Sequence, residues 1–147
     1  MIPSQIEKEI VIEAPIDVVW RVLTEPEHMK EWFAPRTELV GRSGAAGVMV
    51  FPSGETYYLK VERFEPPHRF AYRWLHEAGA DPAPENSMLV EFTLESEDGR
   101  TRMRLVESGF DHVDWTDERK TEYFNGHTNG WQTILKRLSD YAAQVDR

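Results

Sequence analysis

Glu107 stands in two-residue alternation with Met103 and Leu105, just before Ser108-Gly109-Phe110, so its carboxylate shares a strand face with apolar side chains. A carboxylate placed there is costly unless it reaches solvent or accepts hydrogen bonds. It reads either as a rim residue displaced by a bulge or as a polar anchor inside a pocket. His127 lies on the apolar side of a helix-periodic segment, one turn after Tyr123 and one turn before Trp131. Its ring therefore faces the same interior, as a core or edge histidine or as a hydrogen-bonding group of a pocket. Proton transfer needs a base within about 3 Å of the proton it takes. Glu107 and His127 are the pair that can share one cavity, with Tyr72 as a third polar group. Such a trio suits cyclase, dehydratase or hydrolase chemistry, and it also arises where buried polar groups simply satisfy one another.

Other chemistries lack their usual entry points. The histidines are His28, His68, His76, His112 and His127, and the nearest approach to metal-ligand spacing is Asp111-His112 with Asp114 on a turn. With no second cluster to complete it, no metal is expected. The chain holds no Gly-x-Gly-x-x-Gly fingerprint, phosphate loop, His-Glu-x-x-His pattern or Gly-x-Ser-x-Gly elbow, and no cofactor is expected. Cysteine is absent, which removes disulfides, thiol catalysis and Cys-ligated metals.

Charge narrows the partners. The 147 residues carry 26 acidic and 17 basic side chains, a formal net charge of -9 that works against polyanions. No basic stripe opposes it, so nucleic acid is not an expected partner. The N-terminus lacks a basic region followed by an apolar stretch, and no apolar run reaches about eighteen residues. Stable membrane insertion is not expected, and a cytoplasmic location is.

Elements that position these residues follow from pattern. Ile6, Ile10 and Ile12 alternate with Glu7, Glu9 and Glu13 as a strand, and Pro15 then opens a short helix with Val18, Val19, Val22 and Leu23 on one stripe. Thr24-Glu25-Pro26-Glu27 has the form of a capping box, predicting a second short helix to about Trp32. Period-two signals then predict strands at 37–40, 47–51, 56–65 and 68–76, one through Met88, Val90, Phe92 and Leu94, and one over 101–108 after the Asp98-Gly99 turn. Residues 76–87 have no periodicity and read as a long loop, either a surface excursion or a lid. A helix from 117 to about 143 would span about 40 Å at 1.5 Å per residue. Inside it Gly126 and Gly130 lie one turn apart, each costing about 0.8–1 kcal/mol relative to Ala. They predict that the helix backbone closely approaches a sheet or the mouth of a cavity.

Short connections imply antiparallel pairing, so the fold class is α+β, one domain over 1–147, with a curved sheet packed on the terminal helix. Glu13-Ala14-Pro15-Ile16-Asp17-Val18-Val19-Trp20, Leu23 through Phe33, and Gly130-Trp131-Gln132 with Leu135 and Leu138 carry a resemblance. Over essentially its whole length the chain resembles the START-like, helix-grip (SRPBCC) superfamily, and within it the branch named after the C-terminal domain of the activator of heat-shock protein 90 ATPase. The resemblance implies about seven antiparallel strands around the C-terminal helix, two short helices after the first strand, and a hydrophobic cavity between sheet and helix. Members bind lipids, steroids, hormones and polyketides, and some are enzymes.

Three functions are thus weighed. The first is a small-molecule binding protein holding a hydrophobic or aromatic ligand in a continuous internal cavity, entered beside the 76–87 loop or the 32–36 turn. Trp32, Phe33, Tyr72, Trp74, Met88, Phe92, Glu107, Phe110, His127 and Trp131 are its candidate contacts. The second is an enzyme using Glu107 and His127. The third is a protein-interaction or chaperone-accessory module, which should expose an apolar patch of more than about 400 Å². The chain is read as a monomer or homodimer.

Overall fold

The computed structural model describes residues 3–145, so Met1, Ile2, Asp146 and Arg147 of the expected single-domain span lie outside the described residues. Alternation at the start gives strand β1 (Gln5–Ile12), with Ile6 and Ile12 buried and Glu7 and Glu9 exposed. Helix α1 (Ile16–Thr24) follows directly after Pro15 and buries Val18, Val19, Trp20, Val22 and Leu23. Helix α2 (Pro26–Trp32) starts with Pro26 in its first turn, where a missing N–H costs no bond.

The capping box expected at Thr24 does not form. Thr24 is the last residue of α1, and its hydroxyl donates to the Trp20 carbonyl at 2.8 Å. Glu25 occupies the N-cap of α2 without a side-chain bond. The two-helix insertion forms as expected, but packing sets its boundary.

Strands β2 (Arg36–Leu39), β3 (Ala46–Val50), β4 (Thr56–Glu65), β5 (Arg69–Leu75), β6 (Met88–Glu97) and β7 (Arg100–Ser108) complete the sheet. Their order is β1-β7-β6-β5-β4-β3-β2, every neighbour antiparallel, so β1 and β2 are free edges. A register shift between Val61 and Arg63 marks an irregularity in β4 of the kind that bends a sheet. Asp98 (φ 52°) and Gly99 (φ 80°) both take the left-handed region between β6 and β7, the geometry of a two-residue hairpin turn.

Helix α3 (Asp117–Ala142) is N-capped by Thr116, whose hydroxyl accepts the Arg119 N–H at 3.1 Å, with Asp117 and Glu118 favourably placed in the first turn. It lies against β1 and the two short helices, burying Trp131, Leu135, Leu138 and Ala142. Phe70, Tyr72 and Trp74 of β5, Val90, Phe92 and Leu94 of β6, and Met103, Leu105 and Glu107 of β7 are all buried. Among the described residues Val40 is the exposed large hydrophobic side chain. No described helix is long and apolar enough to cross a membrane.

Candidate functional site

Both ladders of β7 run in unbroken register through Glu107, which pairs with Ile6 on one side and Val90 on the other. No bulge turns it outward, and its side chain is fully buried. Four donors compensate that burial. Oε1 accepts from His127 Nδ1 and Trp131 Nε1, each at 2.8 Å, while Oε2 accepts from Trp74 Nε1 at 2.8 Å and the Tyr123 hydroxyl at 2.5 Å. A carboxylate has about four acceptor positions, and here each oxygen receives two bonds.

Burial alone pushes the Glu107 carboxyl up, but the neighbouring His127 and the bonds from His127, Tyr123 and Trp131 outweigh it and hold the group below its ordinary 4.5. Glu107 is therefore a buried anion. Its charge in turn adds to burial in pushing the phenols of Tyr72 and Tyr123 well above their ordinary range. Tyr57 is raised likewise by burial, then by Glu55 and Glu107. An ionised carboxylate only accepts, so His127 carries a proton on Nδ1 and turns Nε2 toward the Tyr57 hydroxyl, 3.0 Å away.

The structure gathers the expected residues unequally. Glu107, His127, Trp74 and Trp131 form one hydrogen-bonded cluster, with the two indoles stacked at 5.7 Å between centroids. Phe33 packs on Trp74 and Trp131, and Phe92 meets Trp131 edge-on. Trp32 stacks on Phe33, but its indole N–H goes to the Val22 carbonyl at 2.8 Å and ties α2 to α1. Met88 is buried at the start of β6, and Phe110 is buried against Tyr123 and Phe124. Tyr72 packs beside Trp74, yet its buried hydroxyl has no partner and takes no part in the Glu107 cluster. Two members were not anticipated, Tyr57 and Tyr123. Tyr123 carried a signal, since it lies one turn before His127; Tyr57 looked like any core aromatic in an alternating strand.

A groove of about 320 Å³ opens beside this cluster. Tyr57, Trp74 and Trp131 form its aromatic wall, His127 adds an imidazole, and Gly126 and Gly130 of α3 border it. Glu55 and Arg137 supply charges along its lining. The lining includes neither the 76–87 loop nor the 32–36 turn expected to flank an entrance.

The two glycines correct one expectation. A Cβ at Gly126 or Gly130 would meet no atom within 4 Å, so neither exists to let the helix touch a sheet. They leave space beside the groove instead of closing a gap. Larger depressions of about 540 Å³ beside Phe110 and Lys120, and of about 490 Å³ between β3, β4 and residues 79–82, lack this combination of aromatic wall and polar cluster.

For a metal, the Asp111-His112-Asp114 turn does not bring three ligand atoms together. Among the described residues Glu25, Glu27 and His28 do, with ligand atoms within 4.8 Å of one another. His28 Nδ1 is already 2.7 Å from the Tyr141 hydroxyl.

An open antiparallel sheet, two short helices after its first strand and a long C-terminal helix place the protein in the START-like helix-grip class. The profile of the family described as Activator of Hsp90 ATPase homolog 1-like protein matches residues 13–143, and the chain belongs to that family. Protein MLL2253 from Mesorhizobium loti shares the fold with a TM-score of 0.81 at 23% identity, over 97% of this chain and 99% of that one. The Aha1 dimer from Colwellia psychrerythraea aligns with a TM-score of 0.78 at 21% identity, over 100% of both chains. CalU16 from Micromonospora echinospora aligns with a TM-score of 0.71 at 22% identity, over 97% of this chain and 76% of that one. No curated protein matches the sequence significantly.

Proposed function

We propose that the protein binds a hydrophobic or aromatic small molecule in the groove bordered by α3. The observation that carries this reading is the pair Gly126 and Gly130, where an added Cβ would meet no atom within 4 Å and which stand beside a wall of Tyr57, Trp74 and Trp131. Two interior glycines weaken a helix by about 0.8–1 kcal/mol each. With no close packing to explain them, they keep open a space that side chains would narrow. The groove's volume of about 320 Å³ lies at the small end of the range for ligand sites, about 300–1,000 Å³, which are mostly apolar with a few polar groups. His127 and Tyr57 are those groups here, held by a carboxylate that is itself fully hydrogen-bonded. The protein acts in the cytoplasm as a monomer or homodimer.

Native mass spectrometry tests the reading on protein purified from its own host. The expected result is a retained organic mass that Gly130→Leu, which projects a side chain into the groove, no longer holds. Equal retention by the two proteins rejects the groove as the site.

A further inference from the structure

The junction between the two short helices carries a second cluster of chemistry-bearing side chains, none of which lines the groove. Pro26 sits in the first turn of α2, and the His28 N–H donates to the Glu25 carbonyl at 3.0 Å, so His28 stands one turn above Glu25. One ligand atom from each of Glu25, Glu27 and His28 lies within 4.8 Å of the others. The His28 ring is partly buried and is held from outside this cluster. Its Nδ1 lies 2.7 Å from the hydroxyl of Tyr141, 113 residues further along in the last turn of α3, while Nε2 faces Glu25 Oε1 at 3.7 Å. A proton on Nδ1, donated to the phenol oxygen, leaves the Nε2 lone pair turned toward the carboxylate. Metal-ligating histidines are oriented in this way, with one ring nitrogen fixed by an outer hydrogen bond and the other open. Charge favours a cation here too. Among the described residues no lysine or arginine lies within 4.0 Å of the Glu25 or Glu27 carboxylates. Burial, and then the charges of Glu31 and Glu27, push the Tyr141 phenol up and keep it neutral as the acceptor of that bond.

We propose that Glu25, Glu27 and His28 form a site for a borderline divalent transition-metal ion, represented by Zn²⁺, with Tyr141 as the positioning residue that fixes the His28 ring. Two carboxylate oxygens and one imidazole nitrogen belong to the zinc donor set, at about 2.0–2.2 Å from the ion, and three protein ligands leave the fourth position to water. The imidazole selects against Mg²⁺ and Ca²⁺, which take oxygen ligands. Both carboxylates reach solvent, so side-chain rotation brings the donors onto the ion. The bound ion joins the start of α2 to the end of α3 through His28 and Tyr141.

Isothermal titration calorimetry of the chelator-stripped full chain with zinc chloride tests the site, and long-range proton–nitrogen spectra of the histidine rings locate the ion. Wild type is expected to take up one zinc per chain, shifting His28 Nε2 while His68, His76, His112 and His127 stay in place, and to keep it in excess Mg²⁺. His28→Gln and Glu27→Gln should each weaken binding by about tenfold or more, and Tyr141→Phe, which removes one hydroxyl, by about tenfold. Glu27 is exposed, so Glu27→Gln serves if His28→Gln fails to fold. The proposal is overturned if wild type takes up no zinc at micromolar concentrations, if the ion shifts another histidine instead, or if Mg²⁺ displaces it. It is overturned equally if Glu27→Gln or Tyr141→Phe binds zinc as tightly as wild type.

Discussion

Replacing Gly126 and Gly130 by Ala should stabilise this protein. A Cβ at either position meets no atom within 4 Å, and neither residue takes a positive φ, so the new methyl brings neither clash nor strain. What remains is the backbone entropy that glycine loses on entering a helix, worth about 0.8–1 kcal/mol per site relative to Ala. The two changes together should add about 1.6–2 kcal/mol. At about 2–4 °C per kcal/mol for a domain of this size, the melting temperature should rise by about 3–8 °C. Urea denaturation followed by tryptophan fluorescence measures the gain as a higher midpoint at unchanged slope. Destabilisation by either single substitution would refute the reasoning, because it would mean that α3 needs its bare backbone for close packing.

Other consequences follow from the buried carboxylate and the hairpin. Glu107→Ala strands four donors and leaves His127 without its partner, so urea denaturation should show a loss of about 3–5 kcal/mol. The folded-state pKa of Glu107 lies below its ordinary 4.5, so its contribution to stability is present above that value and drains away as pH falls through the lower folded one. The urea midpoint of wild type should therefore drop more steeply below about pH 4.5 than that of Glu107→Gln; parallel slopes would show that the carboxylate is not held as an anion. Gly99→Ala forces a side chain into φ 80° and should cost about 1 kcal/mol in the same assay, whereas no loss would contradict the turn geometry.

The strands were legible because alternation survives burial on one side: the parity of Met103, Leu105 and Glu107 is the parity observed. Asp98-Gly99 announced its turn for a similar reason, since few other residue pairs accept two left-handed conformations in a row. Glu107 and His127 were legible as a pair because strand and helix periods each turned them inward. The errors have physical causes too. A glycine in a helix reveals a cost but not what stands opposite, so close contact and open space look alike until the fold is known. Thr24 fits the capping pattern, yet its hydroxyl finds the Trp20 carbonyl one turn back and the helix does not start there. Tyr57 meets His127 across 70 residues of chain, and nothing in an alternating strand marks which buried aromatic carries a used hydroxyl.

Occupancy of the groove is read most directly by an amide and indole N–H titration of the labelled protein with 4-nitroanisole. The indole signals of Trp74 and Trp131 and the amides of Gly126 and Gly130 should shift together along one saturating curve, and Gly130→Leu should abolish those shifts while leaving the rest of the spectrum folded. Shifts that cluster elsewhere on the protein, or that persist undiminished in Gly130→Leu, would contradict a ligand site bordered by α3.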